Sequence, residues 1–202
     1  MMDAGRHPRI TLLSYSEVVD VQGYVGNFQV RVRRKPRYVH EDLCTGCGLC
    51  EEACVYHGRI PSEFDAGLGK RGAIYIPFDQ AVPLKAVVDP NRCLTVLGKK
   101  CKQPCVKACD RGAIDFQMEE TYVDLRVGAV ILATGYDPYD ATKLPHYGYG
   151  VYDNVIDGLQ FERLCSSAGP TGGKVLTKDG REPEAIAFLH CAGSRDEHAL
   201  PY

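Results

Sequence analysis

Apolar and polar positions change rhythm three times along the chain. Residues 10–34, "ITLLSYSEVVDVQGYVGNFQVRVRR", alternate with period two and break at Gly23 and Gly26, which predicts strand, turn, strand in an antiparallel hairpin. Pro36 marks a boundary, and residues 38–118 show little helical periodicity. Alternation returns in "ETYVDLRV" and runs into unbroken apolar sequence from Ala129 to Ala133, which predicts a strand buried on both faces of an α/β sheet. "IDGLQFERLCSSAGP" has apolar Leu159, Phe161, Leu164 and Cys165 at the spacing of a short helix ended by Gly169 and Pro170. "EAIAFLHCAGSRD" is a second buried-strand pattern leading into a glycine turn. An α/β layer that opens a new strand and stops soon after reads as cut off.

Composition narrows the class without choosing a function. The chain has 202 residues, 45% of them hydrophobic, and a formal net charge of −2, so nothing in the balance asks for nucleic acid or an anionic membrane. The basic tail of the hairpin, Arg31, Arg33, Arg34, Lys35 and Arg37, interleaves with Val30 and Val32 and reads as the solvated face of a strand. No apolar run reaches membrane-spanning length, and "MMDAGRHPRI" lacks the apolar core of a secretory signal, so a cytoplasmic location is expected. In that reducing compartment ten cysteines point to metal in preference to disulfides.

Eight of the ten fall between positions 44 and 109. "CTGCGLCEEAC" spaces Cys44, Cys47, Cys50 and Cys54 as C-x2-C-x2-C-x3-C, the run that wraps a cubane iron–sulfur cluster. Gly46 and Gly48 let backbone N–H groups approach the cluster sulfurs. Zinc seldom takes three cysteines at this spacing, so a structural zinc module is the lesser reading. The second set, Cys93, Cys101, Cys105 and Cys109, departs from the ordinary run as C-x7-C-x3-C-x3-C. Its last three members fit one helical face, but Pro104 opposes an uninterrupted helix, and a second cubane cluster is expected. In two-cluster ferredoxins the fourth cysteine of each run ligates the other cluster. Such a crossing would join Cys109 to Cys44, Cys47 and Cys50, and Cys54 to Cys93, Cys101 and Cys105. The usual proline after the fourth cysteine is replaced by Val55 and Asp110, which relaxes the chain's exit without removing a thiolate. Lys99, Lys100, Lys102, Lys107 and Arg111 surround the second set, opposed only by Asp110, and favour its reduced state. The remaining cysteines, Cys165 and Cys191, read as small buried hydrophobes.

Two glycine motifs concern nucleotides. "GLGKRG", Gly67 to Gly72, spells G-x-G-x-x-G, but it follows "PSEFDA" and precedes a strand pattern, so it lacks the strand–turn–helix context of a phosphate loop. "VILATGYDP" ends an apolar run in small residues that would let a flat cofactor approach the backbone. No histidine among His40, His57, His146 and His190 has a spacing that suggests catalysis, and no acid, base or nucleophile is assigned.

Taken together, "GYVGNFQVRVRRKPRYV", "CTGCGLC", "EFDAGLGKRGAIYIPFDQAVP", "GAVILATGYDP", "YGYGVYDNVI" and "AFLHCAGSRD" resemble the A subunit of heterodisulfide reductase, an iron–sulfur flavoprotein. The A subunit of the quinone-interacting oxidoreductase complex is similar too. The resemblance implies a mixed α+β and α/β fold in which a two-[4Fe–4S] ferredoxin-like module is inserted into part of a thioredoxin-reductase-like FAD-binding domain. Residues 1–35 would be a hairpin of the flavin domain, 36–118 the two-cluster module, and 119–202 the flavin domain's truncated continuation. Ala133, Thr134 and Gly135 would lie beside FAD. The implied role is transfer of electrons between FAD and other subunits or redox partner proteins of a heterodisulfide-reductase-like complex, electron-bifurcating forms included. A free-standing two-cluster ferredoxin is the alternative. The flavin phosphate loop and further cluster motifs of the family would lie outside these 202 residues, so the chain is expected to be a fragment.

Overall fold

The computed structural model describes residues 2–194. In chain order the elements are α1 (Met2–Arg6), β1 (Ser16–Tyr24), β2 (Asn27–Arg34), α2 (Leu49–Glu52), β3 (Ile60–Pro61), β4 (Lys70–Arg71), β5 (Ile74–Tyr75), β6 (Val87–Val88), α3 (Pro104–Lys107), β7 (Thr121–Val127) and α4 (Gly158–Cys165). They fall into two compact units, one of residues 1–60 and 70–133, the other of residues 61–69 and 134–202.

In the first unit, β1 and β2 form the expected antiparallel hairpin, paired from Ser16 with Arg34 to Tyr24 with Asn27. Gly23 lies within β1, and the turn falls at Val25 and Gly26. β7 pairs antiparallel with β2, giving a sheet of order β1-β2-β7 in which β2 and β7 bracket the cysteine block that separates them in sequence. The alternation in β2 works as its pattern demands: Val30 and Val32 are buried while Arg31 between them is exposed. Those cations have partners within the fold. Arg33 and Lys35 both pair with Glu17, Arg31 with Asp124, and Arg37 with Glu41.

The cysteine block itself has little regular structure. β5 and β6 form a two-stranded antiparallel ladder, and Val39 makes an isolated antiparallel bridge with Ile114, which brings the two ends of the block together. Its core is small and sulfur-rich: Val39, Ile74, Ala86, Val88 and Ala113 pack with Cys50 and Cys105, and Cys44, Cys54, Cys93 and Cys109 lie against this cluster. A core that devotes so many of its positions to thiols has little apolar area of its own and depends on what the thiols bind.

In the second unit, α4 starts at a capping box in which the Asp157 carboxylate accepts from the Gln160 N–H and the Gln160 side chain accepts from the Asp157 N–H. Arg163 on this helix pairs with Asp65 and lies over the Phe64 ring. The helix ends at Cys165, ahead of Gly169.

Two expected strands are corrected. Residues 129–133 are irregular, with Ile131 90% and Leu132 84% exposed, and residues 185–190 are likewise irregular and exposed. An apolar run becomes a buried strand only where neighbours take up its N–H and C=O groups, and among the described residues no strand pairs with either run. Phe188 instead meets Phe161 of α4 edge to face, at 5.0 Å between ring centroids. The last residues of that second pattern, Arg195 and Asp196, lie outside the described residues. Cys165 and Cys191 are exposed where burial was expected, because neither sits in a packed layer.

Candidate metal centre

The two cysteine sets are built alike despite their different spacings. Gly48, at φ +81°, turns the chain into α2, whose second residue is the buried Cys50, and Cys54 follows directly after the helix's final cap. Gln103, at φ +50°, turns the chain into α3 with Pro104 as the first helical residue; the second is the buried Cys105, and Cys109 follows the cap. Proline suits that first position because its missing N–H would have no partner there, and it accounts for why the i, i+4, i+8 cysteines do not form one long helix. α2 and α3 pack against each other.

The electrostatic neighbourhoods of the two buried thiols divide the block. Burial pushes Cys50 up to about 12, and the neighbouring charges that add to it are Cys44 and Cys109, then Cys47, with Cys105 last. Burial pushes Cys105 up to about 11 against a lowering by the Val106 N–H, and its neighbours are Cys54, Cys93 and Cys101. The three cysteines that act most strongly on each buried thiol therefore include one from the other run. Both thiols hold their protons at neutral pH in the metal-free chain, so iron or zinc can enter only with proton release.

The first set is shaped by the backbone of Gly46. This glycine has φ +71°, and a Cβ there would meet the Leu84 carbonyl oxygen at 2.5 Å, while Lys85 donates to the Cys44 carbonyl from the same segment. A Cβ at Gly48 would meet nothing within 4 Å. Gly48→Ala is expected to cost about 1–2 kcal/mol for the left-handed backbone alone. Gly46→Ala must also displace Leu84, so its denaturation midpoint is expected to fall well below that of Gly48→Ala, with loss of iron from the first set. Glu51 ties α2 to the ladder by accepting from the Gly72 and Ile76 N–H groups at 3.2 Å each.

Three members of the second set line a small cavity of about 20 Å³. Cys54, Cys93, Cys101 and Cys105 reach it together with apolar Ile74, Val88, Leu94, Pro104 and Phe116. Backbone N–H groups donate to sulfur at Cys54 from Tyr56 (3.5 Å), at Cys101 from Gln103 (3.4 Å) and at Cys109 from Ala113 (3.4 Å). Such donors stabilise thiolate charge, the form in which cysteine binds metal. Among the described residues no group of three or more His, Cys, Asp or Glu stands close enough to hold a single metal ion.

Ala133, Thr134 and Gly135 are exposed, and Gly135 takes φ +76°. Gly67 to Gly72 precedes β5 and opens no helix, as its context required. No helix among the described residues is long and apolar enough to cross a membrane. Sequence pattern alone does not reveal Gln103, whose left-handed turn does for the second set what Gly48 does for the first; nothing in a glutamine's identity signals that conformation.

Sequence comparison agrees with this chemistry. A family model described as a 4Fe-4S binding domain matches residues 37–54, the segment that carries the first cysteine run, and so marks an iron–sulfur protein with a ferredoxin-type domain. Over its whole length the chain is related to the A subunit of heterodisulfide reductase. It is 48% identical over 204 residues to the A subunit of the H(2):CoB-CoM heterodisulfide,ferredoxin reductase of Methanothermobacter thermautotrophicus, a match that covers all of this chain and 30% of that protein. It is 52% identical, with the same coverage, to the second of the iron-sulfur A subunits of CoB–CoM heterodisulfide reductase in Methanopyrus kandleri. It is 45% identical over 199 residues to the A subunit of the ferredoxin:CoB-CoM heterodisulfide reductase of Methanosarcina mazei, matching 98% of this chain and 24% of that one. The chain thus spans about 30% or less of the length of these relatives.

Proposed function

We propose that this chain is an electron-relay segment of a heterodisulfide-reductase-like oxidoreductase, passing single electrons between FAD and partner subunits. One [4Fe–4S] cluster would be held by Cys44, Cys47, Cys50 and Cys109, and a second by Cys54, Cys93, Cys101 and Cys105. The observation that carries this reading is the grouping of the thiols: Cys54, Cys93, Cys101 and Cys105 line one cavity, while Cys109 falls in the neighbourhood of Cys50. A bound cluster supplies a site that stores one electron with little rearrangement. The protein's contribution is to supply thiolates, donate N–H groups to them and keep water away with Ile74, Val88 and Phe116.

In the complete subunit, residues 1–35 and 119–202 would belong to an FAD-binding domain similar to thioredoxin reductase, with 36–118 inserted between them and Ala133, Thr134 and Gly135 beside the flavin. Pairing of β2 with β7 across the cysteine block supports that insertion. The names of the relatives, reductases that join a heterodisulfide to ferredoxin, support other subunits and a one-electron carrier as partners.

Cluster two is assigned the higher potential. Two of the three N–H donors to sulfur, at Cys54 and Cys101, act on its ligands, and the lysines without carboxylate partners lie on its loop. Anaerobic reconstitution is expected to give about eight iron and eight sulfide per chain, with coupled EPR signals on full reduction. About four iron, or zinc in place of iron, would overturn the two-cluster relay. A redox titration in which the Cys105-dependent signal appears no earlier than the Cys50-dependent one would overturn the order of potentials.

A further inference from the structure

Most of the cations whose contacts have been described sit in ion pairs with carboxylates, as Arg31, Arg33, Lys35, Arg37, Arg71 and Arg163 do. Lys99, Lys100, Lys102, Lys107 and Arg111 behave differently. All five are exposed, and among the described residues none of their side chains is in a hydrogen bond or ion pair; the only carboxylate in the sequence between positions 99 and 111 is Asp110. Five like charges without partners, close together in a chain of net charge −2, form a local positive field.

Their mounting is ordered. Between Cys93 and Cys101 the chain closes on itself through N–H bonds from Leu97 to the Cys93 carbonyl, Gly98 to Thr95 and Lys99 to Leu94. This turn presents Leu97, 44% exposed, at the edge of the lysines. Lys100 and Lys102 flank Cys101, which lines the cavity shared with Cys54, Cys93 and Cys105. An apolar contact with a basic rim, immediately beside a cluster ligand, is a small interface with charge steering and a short path for an electron.

We propose that the loop from Leu97 to Arg111 is the docking surface for a soluble one-electron carrier protein with an acidic face. The inference rests on the relay reading and adds to it the place of contact and the partner's charge. A nucleic acid fits the same charge less well: residues 93–112 contain no Phe, Tyr or Trp on which a base could stack. Exchange across this contact moves one electron between the carrier and the Cys54, Cys93, Cys101 and Cys105 set, in either direction, with no bond made or broken.

The test uses the full chain after anaerobic reconstitution and an acidic plant-type [2Fe–2S] ferredoxin as probe, with Kd measured calorimetrically at low and moderate salt. Binding is expected to weaken steeply with salt, because exposed charges are screened beyond about 10 Å at 0.1 M. Lys99→Glu/Lys100→Glu/Lys102→Glu is expected to raise Kd at least tenfold with iron content unchanged, whereas Lys143→Glu/Lys174→Glu, at exposed cations elsewhere, leaves Kd as it was. Equal Kd for the triple variant and the unaltered chain, both fully loaded, overturns the proposal. So does a single-stranded oligonucleotide that binds the loop more tightly than the ferredoxin. An iron content of about four per chain is a separate result, which sinks the relay reading while the comparison of Kd values still reports on the surface.

Discussion

Cys109→Ser is expected to destroy the cluster of the first run, although Cys109 lies far along the chain from it, and Cys54→Ser to destroy the cluster of the second. Each variant should retain about four of about eight iron. The signature is in the pairing of variants: Cys109→Ser should give the same residual EPR spectrum as Cys50→Ser, and Cys54→Ser the same as Cys105→Ser. The physical ground is the arrangement around the two buried thiols, where Cys109 adds its charge to Cys50 while Cys54, Cys93 and Cys101 add theirs to Cys105. If Cys54→Ser instead matches Cys50→Ser, each run holds its own cluster and the crossing is wrong. The whole cluster is expected to go because the small apolar core around the thiols does little to hold the remaining three in place once the ligand set is incomplete.

Arg71→Ala is expected to be the most damaging change away from the cysteines. Arg71 is buried, donates to the Asp89 carboxylate at 2.8 Å and to the Gly72 carbonyl at 3.0 Å, and stacks on the Tyr75 ring at 4.0 Å. Removing one partner of a buried ion pair strands the other charge and costs about 3–5 kcal/mol. Asp89 also accepts from the Asn91 N–H, and its own N–H donates to the Ala73 carbonyl, so its displacement loosens the approach to Cys93 and the wall formed by Ala73, Ile74 and Val88. Chemical denaturation of the reconstituted chain should show the loss. Arg71→Lys should recover only part of it, because an ammonium keeps the charge but neither the forked donors nor the flat stacking face. An unchanged midpoint for Arg71→Ala would mean that the pair is solvated in the working protein.

Local features are legible in the sequence where local chemistry is sufficient. Period-two alternation predicts the hairpin and β7 because each residue's face is set by the pleat, whatever lies above it. The short helix α4 can be read from Leu159, Phe161 and Leu164, and its start is fixed within one turn by the capping box of Asp157 and Gln160. The candidate ligands of the first run can be named from C-x2-C-x2-C, because that spacing and the turns at Gly46 and Gly48 are set within a few residues.

Other features depend on long-range contacts. Spacing puts Cys54 and Cys109 forward as candidate ligands, but which thiols each lies near depends on Val39 meeting Ile114 and α2 meeting α3, contacts between residues far apart in sequence. Gln103 occupies a left-handed turn, at φ +50°, that its side chain does not favour, directly ahead of Pro104 and the buried Cys105. The runs at 129–133 and 185–190 have the composition of buried strands, yet a strand is a property of paired chains, and the described residues offer them no partner. The amino-acid order was therefore enough to say which groups can bind metal and which segments alternate, because both are set within a few residues. Which thiols keep company, and which apolar segments are covered, was settled only by folding in three dimensions, because both depend on what the chain brings alongside from far away.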